Sequence, residues 1–279
     1  MWLCDSSIGR KVVMSVTGVA LILFLTFHAS MNLVALFSAE GYNMICEFLG
    51  ANWYAVVATL GLAALVAIHI IYAFWLTIQN YRARGKDRYD VTDKPAKVEW
   101  ASQNMLVLGI IIVLGMLLHL WNFWYNMMFA ELLGDPMMGG LEATNGYGYI
   151  VKTFSCPAYT VLYVVWLAAI WFHLTHGFWS AMQTMGWSGK IWFERWRCIG
   201  NIYTTVLVLM FLVVALYFSF CGTNFCGDVC DTACTTVCNS ACGACDAACS
   251  GACDAACSGA CDAACNGACN GACNGACCQ

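Results

Sequence analysis

The sequence predicts an all-α integral membrane protein of five transmembrane helices, followed by a cysteine-rich low-complexity tail. Three observations carry this. Of 279 residues, 61% are hydrophobic and only 10% charged, against about 25% charged in a soluble globular domain. Five apolar runs reach the ~20 residues that a bilayer requires. Sixteen of the 20 cysteines lie at or after Cys221, so they belong to a tail and not to the main fold. The apolar content excludes a disordered chain over most of the length. A net charge of −4 gives no reason to expect nucleic acid.

The runs are Val12–Phe37, Trp53–Gln79, Ala101–Phe129, Ala158–Gln183 and Asn201–Phe220. The first follows Arg10 and Lys11 and superficially resembles a signal peptide. It exceeds the ~7–15-residue apolar region of such a peptide, so a retained span is expected. Several runs are longer than the minimum, which implies tilt or extension beyond the lipid. Orientation follows from the basic residues. Arg10 and Lys11 precede span 1; Arg82, Arg84, Lys86, Arg88, Lys94 and Lys97 separate spans 2 and 3; Lys190, Arg195 and Arg197 separate spans 4 and 5. Five spans put all of these on one side and leave only Lys152 on the other. The positive-inside rule then places the N-terminus in the cytoplasm and the tail outside. Topology alone suffices to explain these basic loops. Residues 1–220 form the membrane domain and residues 221–279 the tail. No loop could hold an independent catalytic domain, and there is neither a dinucleotide fingerprint nor a phosphate-binding loop.

All five histidines, His28, His69, His119, His173 and His176, fall inside predicted spans. An ionisable residue within a membrane is by default a functional candidate. At about 1.5 Å per residue, His28 and His119 lie ~24 and ~27 Å from the cytoplasmic end of their spans. His69 and His173 each lie ~15 Å from that end. The four therefore form two layers, His28 with His119 outside and His69 with His173 inside. His176 lies one turn below His173 on roughly the same face. Two imidazoles on facing helices at equal depth are what a six-coordinate haem iron needs. Two such pairs would hold two stacked haems. No Cys-x-x-Cys-His motif is present, so attachment would be non-covalent, of b type. The competing account is polar contact between helices. Gly18, Gly61, Gly109 and Gly177 would allow close approach of a macrocycle or simply of another helix.

The segments Ser7-Ile8-Gly9-Arg10-Lys11, Met14-Ser15-Val16-Thr17-Gly18 and Phe27-His28 resemble the first helix of a known family. Phe172-His173-Leu174-Thr175-His176-Gly177-Phe178-Trp179, with Gly186-Trp187, resembles its fourth. The family is the di-haem cytochrome b membrane anchor of succinate dehydrogenase and fumarate reductase, most closely the five-helix, Bacteroides-like type of the succinate:menaquinone oxidoreductases. The likeness covers roughly residues 6–220. It implies four helices forming a haem-binding bundle, with His28 and His119 on a distal haem b and His69 and His173 on a proximal one. His173, rather than His176, matches the family's helix 4 ligand by its distance to the Gly-Trp pair. His176 would contact a propionate or a helix neighbour.

The resemblance further implies electron transfer between menaquinone and an iron–sulfur subunit on the cytoplasmic face, with a flavoprotein subunit beyond it carrying the succinate/fumarate site. The setting would be the bacterial cytoplasmic membrane. A homodimer of the whole complex is compatible with it. In such reductases a glutamate after helix 1 handles quinol protons near the distal haem. Glu47 is the nearest match, with Glu40 second, and the role needs a carboxylate beside a quinone oxygen. The bland account of either is an exposed loop carboxylate. Some relatives carry a glutamate two residues before the helix 4 ligand, used in a compensating proton path. Trp171 stands there in this chain, so no such path is expected.

From Cys226 onward cysteine recurs at four-residue steps, apart from a three-residue step at Cys242–Cys245 and the final Cys277-Cys278. Each four-residue step drifts about 40° on a helix, so no single cysteine stripe results. Disulfides or soft-metal binding suit an outer compartment; a low-complexity expansion without a specific role fits as well. Two other functions stay open at this point. One is the cytochrome b anchor of a hydrogenase or formate dehydrogenase. The other is a haem-free transporter or metal-handling protein whose tail captures metal.

Overall fold

The computed structural model describes residues 6–50, 52–83 and 100–242, with side chains described to Phe220. The basic loop residues Arg84, Lys86, Arg88, Lys94 and Lys97, and the repeat after Cys242, lie outside the described residues. Every described element is helical: α1 (Ser7–Leu33), α2 (Ala39–Phe48), α3 (Trp53–Ala83), α4 (Trp100–Gln103), α5 (Met105–His119), α6 (Ala130–Leu133), α7 (Gly146–Phe154), α8 (Pro157–Thr184) and α9 (Lys190–Cys242). A 3-10 turn, Val34–Leu36, extends α1, and a π-helical stretch, Leu120–Phe129, joins α5 to α6. Five stretches are long and apolar enough to cross a membrane: Ser7–Leu36, Trp53–Ala83, Met105–Leu133, Pro157–Thr184 and Lys190–Phe220.

Helix boundaries have local causes. Ser6 caps α1 by accepting from the Gly9 amide at 2.9 Å. Ser38 does the same for α2 from Gly41, and Asn145 for α7 from Gly148, each at 2.9 Å. These caps satisfy amides that have no partner within the first turn. Pro157 opens α8, where its missing N–H costs nothing. Gly134 at φ 73° stops α6, and Gly186 at φ 81° turns the chain after α8. Both conformations favour glycine.

α8 is the central helix. Its Leu167, Ile170 and Leu174 pack with Ile22 and Ala29 of α1 and Leu207 and Val208 of α9. Its Ala169 packs on Leu108 of α5. α3 lies against α1 and buries only Ala55. Leu60, Ile71, Phe74 and Ile78 of α3 are exposed, as expected where lipid replaces water as solvent.

Two ends of the bundle are distinct. At one end, Arg10 of α1 meets the end of α3. With the Gln79 amide in the orientation that satisfies its neighbours, its oxygen accepts from Arg10 Nη1 at 2.6 Å and from Trp75 Nε1 at 2.8 Å. At the opposite end, α2 and α7 form a cover. Tyr42, Ile150, Val151 and Phe154 of that cover pack on Tyr163 of α8 and on Val214 and Phe218 of α9. Lys152, the one basic residue assigned to this end, donates to the Gly139 carbonyl at 2.7 Å. It ties down the loop that precedes α7.

The structure adjusts the expected spans. The third is divided near its start, where Asn104 flanks α5 (Met105–His119), and it continues to Leu133. The fifth helix starts at Lys190, eleven residues earlier than the apolar run, and its backbone continues to Cys242. Its first turns carry Trp192, Phe193 and Trp196, with Arg195 over the Trp192 ring at 5.1 Å. Such mixed aromatic and basic turns suit the bilayer interface.

Candidate functional site

The structure brings four histidines together in two pairs. His28 of α1 and His119 of α5 have ring centroids 5.8 Å apart, at 85° to one another. His69 of α3 and His173 of α8 have centroids 6.4 Å apart, at 65°. The first pair lies toward the α2/α7 cover and the second toward the Arg10 end. These are the two layers that counting residues along the spans predicts. Each pair joins two helices distant in sequence, and α8 holds α1 and α5 in place around both.

The spacing has a chemical meaning. A metal–imidazole bond is ~2.0 Å. Each ring nitrogen lies about 1.1 Å from its ring centre, so two imidazoles opposed across one metal have centres about 6 Å apart. Both pairs fall close to that separation. His119 and His173 each bury an Nδ1 atom that has no hydrogen-bond partner among the described residues. A buried polar atom without a partner is costly, and it marks where further chemistry is to be expected. The described residues gather no group of three or more His, Cys, Asp and Glu that could hold a metal. The imidazoles come in twos.

An aromatic shell surrounds the pair near the cover. Phe24 stacks on His28 with centroids 5.5 Å apart, and Phe211 of α9 lies 5.7 Å away. Phe123, Trp166 and Tyr163 stand at 5.1, 5.7 and 6.3 Å from His119. Trp166 is anchored by its indole N–H, which donates to the Ile112 carbonyl at 3.0 Å. Its ring covers Gly115, one turn before His119, where a Cβ would come within 2.1 Å of it. Asn122, buried in the π-helical stretch, donates to the Tyr163 hydroxyl at 3.3 Å. π-helical turns recur at functional sites because they re-aim side chains. Here one begins immediately after His119.

The second pair has a different setting. Thr17 Oγ1 lies 3.0 Å from His69 Nδ1. A Cβ built on Gly18 would touch His69 Cε1 at 3.4 Å. Gly18 therefore lies against His69, although it precedes His28 in the same helix. Cβ atoms built on Gly61, Gly109 and Gly177 would meet nothing within 4 Å. His176 lies against Trp179, with centroids 4.8 Å apart.

Glu47 and Glu40 sit on α2, exposed to solvent. Together with Asn43, Met44, Glu142, Thr144 and Asn145 they line a cleft of ≈ 590 Å³. The cleft is part of the cover rather than of either histidine pair. α2 is nevertheless tied to the nearer pair. Tyr42 donates to Asn32 Oδ1 at 3.1 Å, and Asn32 Nδ2 donates to the His28 carbonyl at 2.7 Å. On its other side α2 meets α7. Asn43 Oδ1 accepts from the Tyr147 amide at 2.8 Å, and Asn43 Nδ2 donates to Asn145 Oδ1 at 3.2 Å. Burial pushes the Cys46 thiol up to about 11 and raises the Tyr42 hydroxyl well above its usual range.

Comparison with protein-family models, curated proteins and solved structures finds no match to this chain. The functional reading therefore rests on these residues, their geometry and the sequence resemblance.

Thr17, Asn32, Trp166, Asn122 and Tyr163 are the residues around the pairs that the sequence reading did not single out. Asn32 had a usable signal, standing four residues after His28 on the same helical face. Thr17 stands in the Met14–Gly18 segment, but nothing in the sequence pairs it with His69, 52 residues away.

Proposed function

We propose that this chain is a di-haem cytochrome b that anchors a succinate dehydrogenase or fumarate reductase in the bacterial cytoplasmic membrane. The observation that carries the reading is the pairing of His28 with His119 and of His69 with His173, each at a separation suited to two ligands on one metal. His28 with His119, and His69 with His173, would each hold one haem iron. With no Cys-x-x-Cys-His motif in the sequence, both haems would be held non-covalently, as b type. When bound, the haems would supply a one-electron relay across the membrane, at potentials set by axial ligand, burial and hydrogen bonding.

The chain's own residues do the rest. α8 presents His173 to α3 and, through Trp166, braces His119 on α5. Phe24, Phe211, Phe123, Trp166 and Tyr163 wall the distal site and keep its dielectric low. Thr17 and Gly18 seat His69 at the proximal site. The N-terminal end, with the basic residues, faces the cytoplasm and docks an iron–sulfur subunit, beyond which a flavoprotein handles succinate and fumarate. The α2/α7 cover faces outward, and Glu47 on α2 is the carboxylate assigned to take or give a proton at bound menaquinone. The Tyr42–Asn32 link holds that helix against the distal ligand's backbone.

The test is to purify the tagged full-length chain with its partners from native membranes and ask which donor reduces its b absorbance. Reduction by succinate, or reoxidation by fumarate, supports the proposal. Reduction by hydrogen or formate alone would assign the chain to a different anchor and overturn it.

A further inference from the structure

Thr17 is 5% exposed in α1, and its hydroxyl has three neighbours. Two are carbonyl oxygens of its own helix, Val13 at 2.9 Å and Met14 at 3.1 Å. The third is His69 Nδ1 at 3.0 Å. Carbonyl oxygens only accept, and the hydroxyl has one proton. That proton goes to a carbonyl, the usual bond of a helical threonine to the preceding turn. The hydroxyl oxygen is then free to accept from His69 Nδ1, an arrangement that needs the tautomer with the hydrogen on Nδ1 and the lone pair on Nε2. His119 and His173 differ, since each leaves its buried Nδ1 without a hydrogen-bond partner among the described residues.

We propose that Thr17 is a positioning residue for His69: it holds the Nδ1–H tautomer, presents Nε2 as the iron ligand, and lowers the reduction potential of the proximal haem relative to a site lacking that bond. The proposal rests on the di-haem reading. Its physical basis is general. A hydrogen bond accepted from the far nitrogen fixes a ligating imidazole's tautomer and orientation and raises its basicity. A more basic ligand favours ferric over ferrous iron. Loss of such a partner costs ~10–100-fold in metal affinity. A tenfold loss of the preference for ferric iron corresponds to about 59 mV for one electron.

The test is an equilibrium redox titration of the purified complex, with the native chain, T17V and T17S. H173A identifies which midpoint belongs to the proximal pair. T17V fills the same space without an acceptor, and T17S restores it. The expected result is an upward shift of the proximal midpoint in T17V by about 59 mV, an unmoved distal midpoint, and a T17S value near the native one. If T17V binds less haem, the expected loss is confined to the haem that H173A also loses, with T17S keeping both. Native protein with two haems and unmoved midpoints in T17V overturns the role of Thr17 and leaves the di-haem reading standing. So does a T17S shift as large as that of T17V. Native protein without haem overturns both.

Discussion

The contrast between Gly115 and Gly109 offers a sharp test of the distal site. Both are on α5, one on each side of a helical turn and a half. A Cβ on Gly115 would come within 2.1, 2.3 and 2.4 Å of Trp166 Cδ1, Cγ and Nε1. These atoms are at the root of the indole, so the ring cannot swing aside at its tip. G115A must move Trp166 away from His119 and stretch its bond to the Ile112 carbonyl. Overpacking of this kind costs about 1–3 kcal/mol. An interhelical hydrogen bond within a membrane adds roughly 0.6–1.7 kcal/mol. The expected destabilisation is therefore about 2–5 kcal/mol, concentrated around His119. A Cβ on Gly109 meets nothing within 4 Å, so G109A is the control. The assay is thermal unfolding of the purified protein in detergent, with haem quantified per chain. G115A should unfold at a lower temperature and lose the haem that H28A also loses, while G109A matches the native protein. Unchanged haem content and stability in G115A would refute the packing argument. Selective loss of the other haem would refute the assignment of His119 to the distal layer.

Further outcomes follow from the same geometry. H28A and H69A should each lose one haem and not the same one, read by pyridine haemochromogen and low-temperature difference spectra. Y42F removes the donor to Asn32 Oδ1; it should slow quinol turnover several-fold while leaving both haems bound, because it loosens α2 and not the ligands. Burial raises the Cys46 thiol from an ordinary 9.0 to about 11, so near neutral pH it forms about 100-fold less thiolate than an unperturbed cysteine. Peptide mapping after alkylation should show Cys46 reacting far more slowly than the exposed Cys156 and Cys198, and its rate rising with pH until about 11. Since the folded protein retains a proton that the unfolded thiol releases, Cys46 stabilises the fold below pH 9 and that contribution is lost as pH rises to about 11.

The spans and the histidine pairing were legible because both depend on a long regular period. Five runs of apolar residues can hardly fold otherwise in lipid, and a rise of 1.5 Å per residue converts sequence position into depth. His28 and His119 meet, as do His69 and His173, because equal depth leaves few alternatives in a compact bundle. What failed to show was short or non-local. α2 and α7 carry cap signals at Ser38 and Asn145, but each helix spans ten residues or fewer and needs its partner to persist. The π-helical stretch after His119 has no proline or glycine to announce it. The apolar run does not show the start of α9, because Glu194, Arg195 and Arg197 interrupt it while favouring a helix. Glu47 is singled out by likeness alone. The structure puts it on the cover helix tied to His28, in the cleft with Glu40 and Glu142.

The most direct measurement is haem stoichiometry. Full-length chain purified from membranes able to insert haem is quantified by pyridine haemochromogen and by its dithionite-reduced minus oxidised spectrum. Two b haems per chain are predicted, one for each histidine pair. A chain that folds and carries no haem would contradict the account, and would bring a haem-free membrane transporter to the front.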